Sequence, residues 1–474
     1  MNLARSIIMN TVAQVAGQGL SYLLGAISMM LVMRHLGPEI FGAYSLVLVY
    51  VGIISGLAEL GGQIILVREL NQKPKQSSQI IGNFLLLKLA LYFAAFLIGL
   101  VLVWLLGYPE NMRILLGLGL LTMFVSFPIS LGAVFQARLK IWYAAAINIA
   151  SRVLLIGLVL FMIRLQLGLK MLLLGNIAIA IASALAYWIV VGNQEKPDYS
   201  PDYKLIMYLF RQSLPIGLLL VVGGLAFRSD VLLLSKLSNP RSLGLYSAAT
   251  KYIEWGLLVA AGFMVSQLPV FSQYRSSEPE KVRKLFLLSF DFIGLIVIPA
   301  SVFVSLNARS IISLISGPAY SDGGTALAVL IWVVLFNLWS TIIYNLFLAD
   351  HRTKTLMAVY IPVMAFNIIF NYFGIPKYGF MACAIISVLS EVLAIIPLLI
   401  LLYRWDSLKP DWKRISGFIL ISMLALVPMS IFPRENLFSR LGIYFACWLL
   451  LGLTTRIIDT ETFRLVVYKI QRQT

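Results

Sequence analysis

Residues 36–45 read LGPEIFGAYS, and residues 238–247 read SNPRSLGLYS. In each stretch Pro is followed by Gly four positions on, by Tyr six on and by Ser seven on. Pro38, Gly42, Tyr44 and Ser45 therefore stand a constant 202 positions before Pro240, Gly244, Tyr246 and Ser247. Four matching residues at one offset, inside the same order of apolar runs, mark an internal repeat. Pro and Gly also shape two similar turns locally. Six apolar runs separate the copies. Six is even, so both copies cross in the same direction, and the halves are expected to be parallel repeats about an axis along the membrane normal.

Composition places those runs in a membrane. Of 474 residues, 60% are hydrophobic and 12% charged, and the mean hydropathy is +0.91. Soluble domains carry about 45–50% apolar and about 25% charged residues. Runs of about 18 or more apolar residues number fourteen, from 9–33 and 40–66 to 415–432 and 441–457. The fold class predicted is an all-α polytopic membrane protein with about 14 transmembrane helices. The first run is too long for a signal-peptide core and is read as a retained helix.

The net charge of +17 would suggest a nucleic-acid partner in a soluble chain, but no basic-aromatic domain is present to carry one. The cations sort instead by loop. With the N-terminus inside, one set of loops holds 23 of the 37 Lys and Arg and the opposite set holds 10. This asymmetry places both termini in the cytoplasm, with the basic loops against anionic lipid.

The chain divides into a six-helix lobe (1–192), a cytoplasmic linker with an interfacial helix (193–212), a second six-helix lobe (213–402), and two additional helices with a cytoplasmic tail (403–474). The linker GNQEKPDYSPDYK spans 192–204, and Tyr203 to Gln212 reads as an amphipathic helix joining the lobes. Two such repeats commonly enclose a central site.

VMRHLGPEIFGAYSLVLVYVGIISGLAELGGQIILVREL near the N-terminus, DVLLLSKLSNPRSLGLYSAATKY at the repeat, and NIIFNYFGIPKYGFMACAIISVLSE over residues 367–391 carry a likeness. Together they resemble the polysaccharide transporters of the multidrug/oligosaccharidyl-lipid/polysaccharide (MOP) exporter superfamily, across essentially the first twelve helices. The resemblance implies a two-lobed bundle in a bacterial inner membrane. It would flip undecaprenyl-pyrophosphate-linked oligosaccharide repeat units outward by alternating access, with polysaccharide polymerase and glycosyltransferases as partners. A multidrug or cation exporter of the same superfamily, and a non-transporting scaffold or polymerase subunit, are the alternatives. The resemblance supplies no fixed set of substrate residues.

Charges inside apolar runs are therefore read one by one. An ionisable side chain near the bilayer centre costs about 2.5–3.5 kcal/mol on insertion scales and should face a partner, a cavity or water. Arg228 lies about 22 Å along its run from Ser213, at a depth similar to Lys251 and Glu254. Two readings are open: Arg228 pairs with Glu254 and Asp230 with Lys251 as a clamp, or the cations meet an anionic headgroup. Arginine suits phosphate because its planar fork binds two oxygens. Arg152, about 12 Å from the inner face, either contacts phosphate or snorkels to headgroups. Lys88 is expected to snorkel. Glu59, Asp291 and Glu391 join Asp230 and Glu254 as candidates for proton or sodium coupling or for ion pairing. Asn10, Gln14 and Gln18 fall four apart and form one polar stripe, which either meets sugar hydroxyls or glues helices. Gly52 and Gly56 suggest close helix packing.

Enzymatic readings find no support. The chain has no G-x-x-x-x-G-K-[ST] loop. Its two histidines, His35 and His351, fall in loops predicted on opposite sides, which excludes a zinc site or triad using both. Cys383 and Cys447 lie in apolar runs and make no disulfide framework. No catalytic residue, metal site or cofactor is expected.

Overall fold

Gly37 breaks the first helix. In the computed structural model, α1 (Leu3–Glu59) carries helical backbone on both sides of Gly37, which alone takes φ 70° and ψ 170°. Only glycine reaches that region without steric cost. Pro38 follows, where a new first turn needs no amide hydrogen. The first two predicted spans are thus joined by a kink rather than a loop. The structure describes residues 3–275, 277–350, 352–406, 408–428, 436–455 and 457; the side chains of 3–16, 218–223, 225–227, 259–266 and 406 lie outside the described set.

The remaining helices follow in chain order. In the first half they are α2 (Gly62–Gln72), α3 (Ser77–Leu105), α4 (Glu110–Val125), α5 (Gly132–Ala137), α6 (Ile141–Leu165), α7 (Leu169–Gln194) and α8 (Tyr203–Leu237). Then come α9 (Pro240–Tyr274), α10 (Pro279–Ser316), α11 (Gly324–Ala349), α12 (Thr353–Tyr378), α13 (Phe380–Asp406), α14 (Trp412–Leu424) and α15 (Leu437–Thr454). No strand occurs among the described residues. Ten helical stretches among them are long and apolar enough to cross a membrane. The end of the predicted span 415–432 and the predicted tail beyond 457 lie outside the described residues, as does His351.

Two compact units emerge, Met1–Gly244 and Leu245–Thr474. The first runs past the polar linker and includes α8. Tyr203 to Gln212, expected as a separate interfacial helix, is instead the opening of α8. Asp202 caps it, accepting from the Leu205 amide at 3.1 Å, and the buried Leu209 packs into an apolar cluster with Leu66, Leu70, Phe84 and Phe135.

The linker itself is strapped across the start of α3. The Asp198 amide donates to the Ser78 carbonyl at 2.9 Å. Asn83 accepts from the Asp202 amide at 2.7 Å and donates to the Ser200 carbonyl at 3.2 Å. Gly82 lets this pass so close that any Cβ there would collide with the Asp198 carbonyl. Arg138 pairs with Glu195 and donates to Ser77 Oγ at 2.6 Å.

Glycine also sets how the helices of this unit approach. A Cβ on Gly42 would strike the Pro240 carbonyl, and one on Gly244 would strike the Pro38 carbonyl. The two repeated turns therefore meet backbone to backbone and reciprocally. At Gly17, α1 packs on Ala145 of α6, where an added Cβ would lie 2.7 Å from the alanine methyl. Such close approach is how apolar helices gain contact in lipid, where burial from water drives little. Gly52, expected to do the same, faces open space.

In the second unit, Trp339 of α11 stacks on Phe290 of α10 at 4.6 Å and 5°, and its Nε1 donates to the Phe290 carbonyl at 3.0 Å. The two additional helices dock on α10. Arg414 reaches Asp291 at 3.1 Å, and Tyr444 Oη donates to the Pro299 carbonyl at 3.1 Å. Asp291 thus has an arginine partner.

Candidate substrate cavity

The helices of the first unit do not close completely on one another. Between α1, α4, α6 and α7 they leave a cavity of about 580 Å³, inside the range of small-molecule sites. Its polar lining comes from single residues spread over these helices. α1 supplies Gln18, Ser21, Tyr22 and, beyond the kink, Tyr44. α4 supplies Thr122, α6 supplies Asn148, Ser151 and Arg152, and α7 supplies Asn176 and Ser183.

Spacing explains the convergence. Gln18 and Tyr22 are four apart on α1, and Asn148 and Arg152 are four apart on α6, so each pair shares one helix face. The Gly17–Ala145 contact brings the two faces together at one end. At the other end Gly25 passes beneath the Arg152 guanidinium, its Cβ position 3.9 Å from Cζ.

Arg152 is the one cation among the described lining residues, and no carboxylate is among them. It is exposed to the cavity and makes no hydrogen bond or ion pair among the described residues. The buried Tyr44 and the Asn176 side chain belong to the same wall. Ser151 and Ser183 Oγ lie 2.7 Å apart and also bond their own helix carbonyls. They finish the wall and have little capacity to spare. Asn148 accepts weakly from Tyr187 Oη at 3.4 Å, and its side chain is exposed at the cavity wall. An uncompensated guanidinium among neutral hydroxyls and amides attracts anions and repels cations.

Other sequence candidates fall elsewhere. Gln18 lines the cavity, while the Asn10 and Gln14 side chains lie outside those described. Lys88, expected to snorkel, is 1% exposed. Its Nζ sits 3.0 Å from Glu59 Oε2 and donates to the Glu59 carbonyl at 2.5 Å and the Ala58 carbonyl at 3.3 Å. The reason is a second break: Leu60 and Gly61 take φ 41° and 66°, ending α1 inside an apolar run and leaving its last carbonyls to be met. Lys88 and Glu59 meet them and each other, so this pair is a clasp on the helix end.

Arg228 and Asp230 lie half-buried on α8, with Asp230 accepting from the Val231 amide at 2.7 Å. Lys251 bonds Glu254 three residues along its own helix at 2.7 Å, so this lysine already has a carboxylate within α9. In the second unit Glu391 accepts from Asn337 at 3.0 Å. No group of three or more His, Cys, Asp or Glu that could hold a metal ion occurs among the described residues.

The sequence does not point to Asn148, Tyr22, Tyr44 or Asn176 as cavity residues, although Tyr44 belongs to the repeated turn. Tyr22 extends the Gln14–Gln18 spacing by one more turn, and Asn148 precedes Arg152 by one turn; both signals were present. Asn176 carries none, since it is a lone polar residue in an apolar run, and the signal at Tyr44 marks the repeat rather than a cavity.

Residues 7–275, more than half of the chain, match the family described as Polysaccharide biosynthesis protein, and residues 215–373 match MatE. Among curated relatives, the capsular polysaccharide biosynthesis protein CapF of Staphylococcus aureus is 22% identical over 42% of this chain and 51% of its own length. The probable flippase AglR of Haloferax volcanii is 25% identical over 35% of each. The chain thus spans about a third to a half of the length of the curated relatives it matches. Among solved structures, the lipid II flippase MurJ in an inward closed conformation superposes with a TM-score of 0.77 over 95% of this chain and 99% of that one, at 15% identity. An inward-facing multidrug resistance MATE family transporter of the MOP superfamily gives 0.61 over 84% and 95%, at 17% identity.

Proposed function

The chain belongs to the polysaccharide biosynthesis protein family, within the MOP superfamily, and from that premise we propose that it is a flippase. Its substrate is an oligosaccharide repeat unit carried on undecaprenyl pyrophosphate, moved from the cytoplasmic to the outer leaflet of a bacterial inner membrane by alternating access. Both termini are cytoplasmic, and the polymerase and glycosyltransferases of polysaccharide assembly are its natural partners.

The observation that carries this reading is the first-unit cavity, with its guanidinium, its neutral polar wall and no described carboxylate. The competing reading, a multidrug or cation exporter, is favoured by the MatE match. It calls for an acidic cavity, since organic cations need carboxylates to replace their water. An anionic headgroup needs the reverse.

Energy follows from charge. A cytoplasm-negative potential favours outward movement of anions by about 2.3 kcal/mol per charge per 100 mV. A headgroup of charge about −2 crossing the whole field gains roughly 5 kcal/mol per 100 mV. Should proton or sodium take part, Glu391 is the better placed acid, because Glu59 is committed to Lys88.

The test is flipping of a defined lipid-pyrophosphate saccharide in proteoliposomes under an imposed potential at equal pH. Outward flux that follows the potential is the expected result. Export of organic cations with no flux of the lipid would refute the reading.

A further inference from the structure

We propose that the first-unit cavity divides its substrate between two kinds of contact: Arg152 holds the phosphate next to the sugar, while Gln18, Tyr22 and Asn148 read the sugar itself. The inference rests on the flippase reading and deepens it by assigning the saccharide a site within the N-terminal unit.

A sugar ring presents hydroxyls that both donate and accept, on a frame with apolar C–H faces. Its recognition needs side chains that also do both, and a flat apolar surface. Amides meet the first need. Gln18 is exposed to the cavity, and the Asn148 nitrogen has no partner among the described residues. Tyr22, 50% exposed at the same wall, offers a ring face with a polar tip. The serines of that wall are already bonded to one another and to their own helices, so they set its shape.

Order along the seam between α1 and α6 fixes which group goes where. Gln18 and Asn148 flank the end where Gly17 meets Ala145. Arg152 stands beside Gly25 at the other end. Asn148 and Arg152 are one helical turn apart, roughly 6 Å, which is the scale of one sugar ring joined to a phosphate. No described carboxylate intervenes to repel the phosphate or to accept the guanidinium.

Arginine's fork suits phosphate oxygens, but it would equally take the carboxylate of an acidic sugar. The probes separate the two. Binding is measured on the purified full-length protein in nanodiscs, with undecaprenyl pyrophosphate and with the same lipid carrying one neutral hexose or a neutral disaccharide. Arg152→Gln is expected to weaken both lipids about tenfold or more, and Gln18→Ala and Asn148→Ala to weaken the glycosylated lipid about tenfold. The last two should leave the sugar-free lipid within about twofold, since they remove no contact to phosphate. Unchanged melting temperatures would show that the variants fold.

Equal weakening of both lipids by the neutral substitutions, or no weakening of either, overturns the division of roles. Loss confined to the glycosylated lipid in Arg152→Gln overturns it too, because the guanidinium would then be reading sugar. If wild-type protein flips the glycosylated lipid while the variants show no such selectivity, only the assignment of the subsite fails. If wild-type protein neither binds nor flips it, the flippase reading fails instead.

Discussion

Lys88 and Arg152 are each a cation in the middle of an apolar helix of the same unit, and the structure uses them in opposite ways. Lys88 is enclosed, with a carboxylate, two carbonyls and the Phe84 ring, 5.4 Å from Nζ, around it. Arg152 stands at the edge of a polar cavity with its charge uncompensated by any described carboxylate. The difference does not lie in how apolar the carrying helix is, since both are long and apolar enough to cross a membrane. It lies in whether a neighbouring helix brings an acid and a broken end to it. A cation that closes a helix break is architecture, and one aimed into empty polar space is available to a ligand.

The hardest test of this contrast is to remove each charge. Lys88→Met should destabilise the protein by about 3–5 kcal/mol, because it strands the Glu59 carboxylate and the open carbonyls at the break. Thermal unfolding in detergent reads the loss, and Lys88→Met with Glu59→Gln should recover part of it. A single variant as stable as wild type would break the comparison. Arg152→Gln should leave the melting temperature unchanged and cut lipid-linked saccharide flux roughly ten- to a hundredfold, the worth of a charge-assisted contact of about 1.5–3 kcal/mol. Arg152→Lys should recover little, since the ammonium lacks the planar fork.

Two glycines sharpen the same contrast more gently. Gly62 lies against Lys88, and a Cβ there would come within 2.7 Å of Cε and Nζ. Gly62→Ala should therefore cost about 1–3 kcal/mol by overpacking the clasp, read as a lower unfolding temperature. Gly25→Ala adds a methyl at ordinary contact distance, 3.9 Å from the Arg152 guanidinium. It should change stability by no more than about 0.5 kcal/mol and leave flux near wild type. Equal damage from both substitutions would mean that Arg152 is as tightly enclosed as Lys88.

Much of the fold was legible because a bilayer enforces it: long apolar runs must be helices. The 202-residue offset located two turns that prove to touch. What hydropathy did not show was the second break. Leu60 and Gly61 sit inside a run that reads as continuous, and only the burial of Lys88 beside Glu59 explains how a helix can end there. The cavity was legible by halves. Arg152 and Gln18 stood out because charge and regular spacing are visible in one dimension. Tyr44 and Asn176 are polar residues whose meaning depends on neighbours from other helices, and no periodicity within one helix encodes that. Tyr203 to Gln212 misled because a polar stretch with apolar spacing resembles a surface helix until its leucines are seen packing against α2 and α3.

The reciprocal crossing at Gly42 and Gly244 bears on which substitutions these two turns can take. Each glycine is walled by the carbonyl of the other turn's proline, so a side chain gained by one cannot be accommodated by a smaller residue in the other, which is already the smallest. No pair of compensating side chains exists at this crossing: each position is confined to glycine for as long as the two backbones keep their distance.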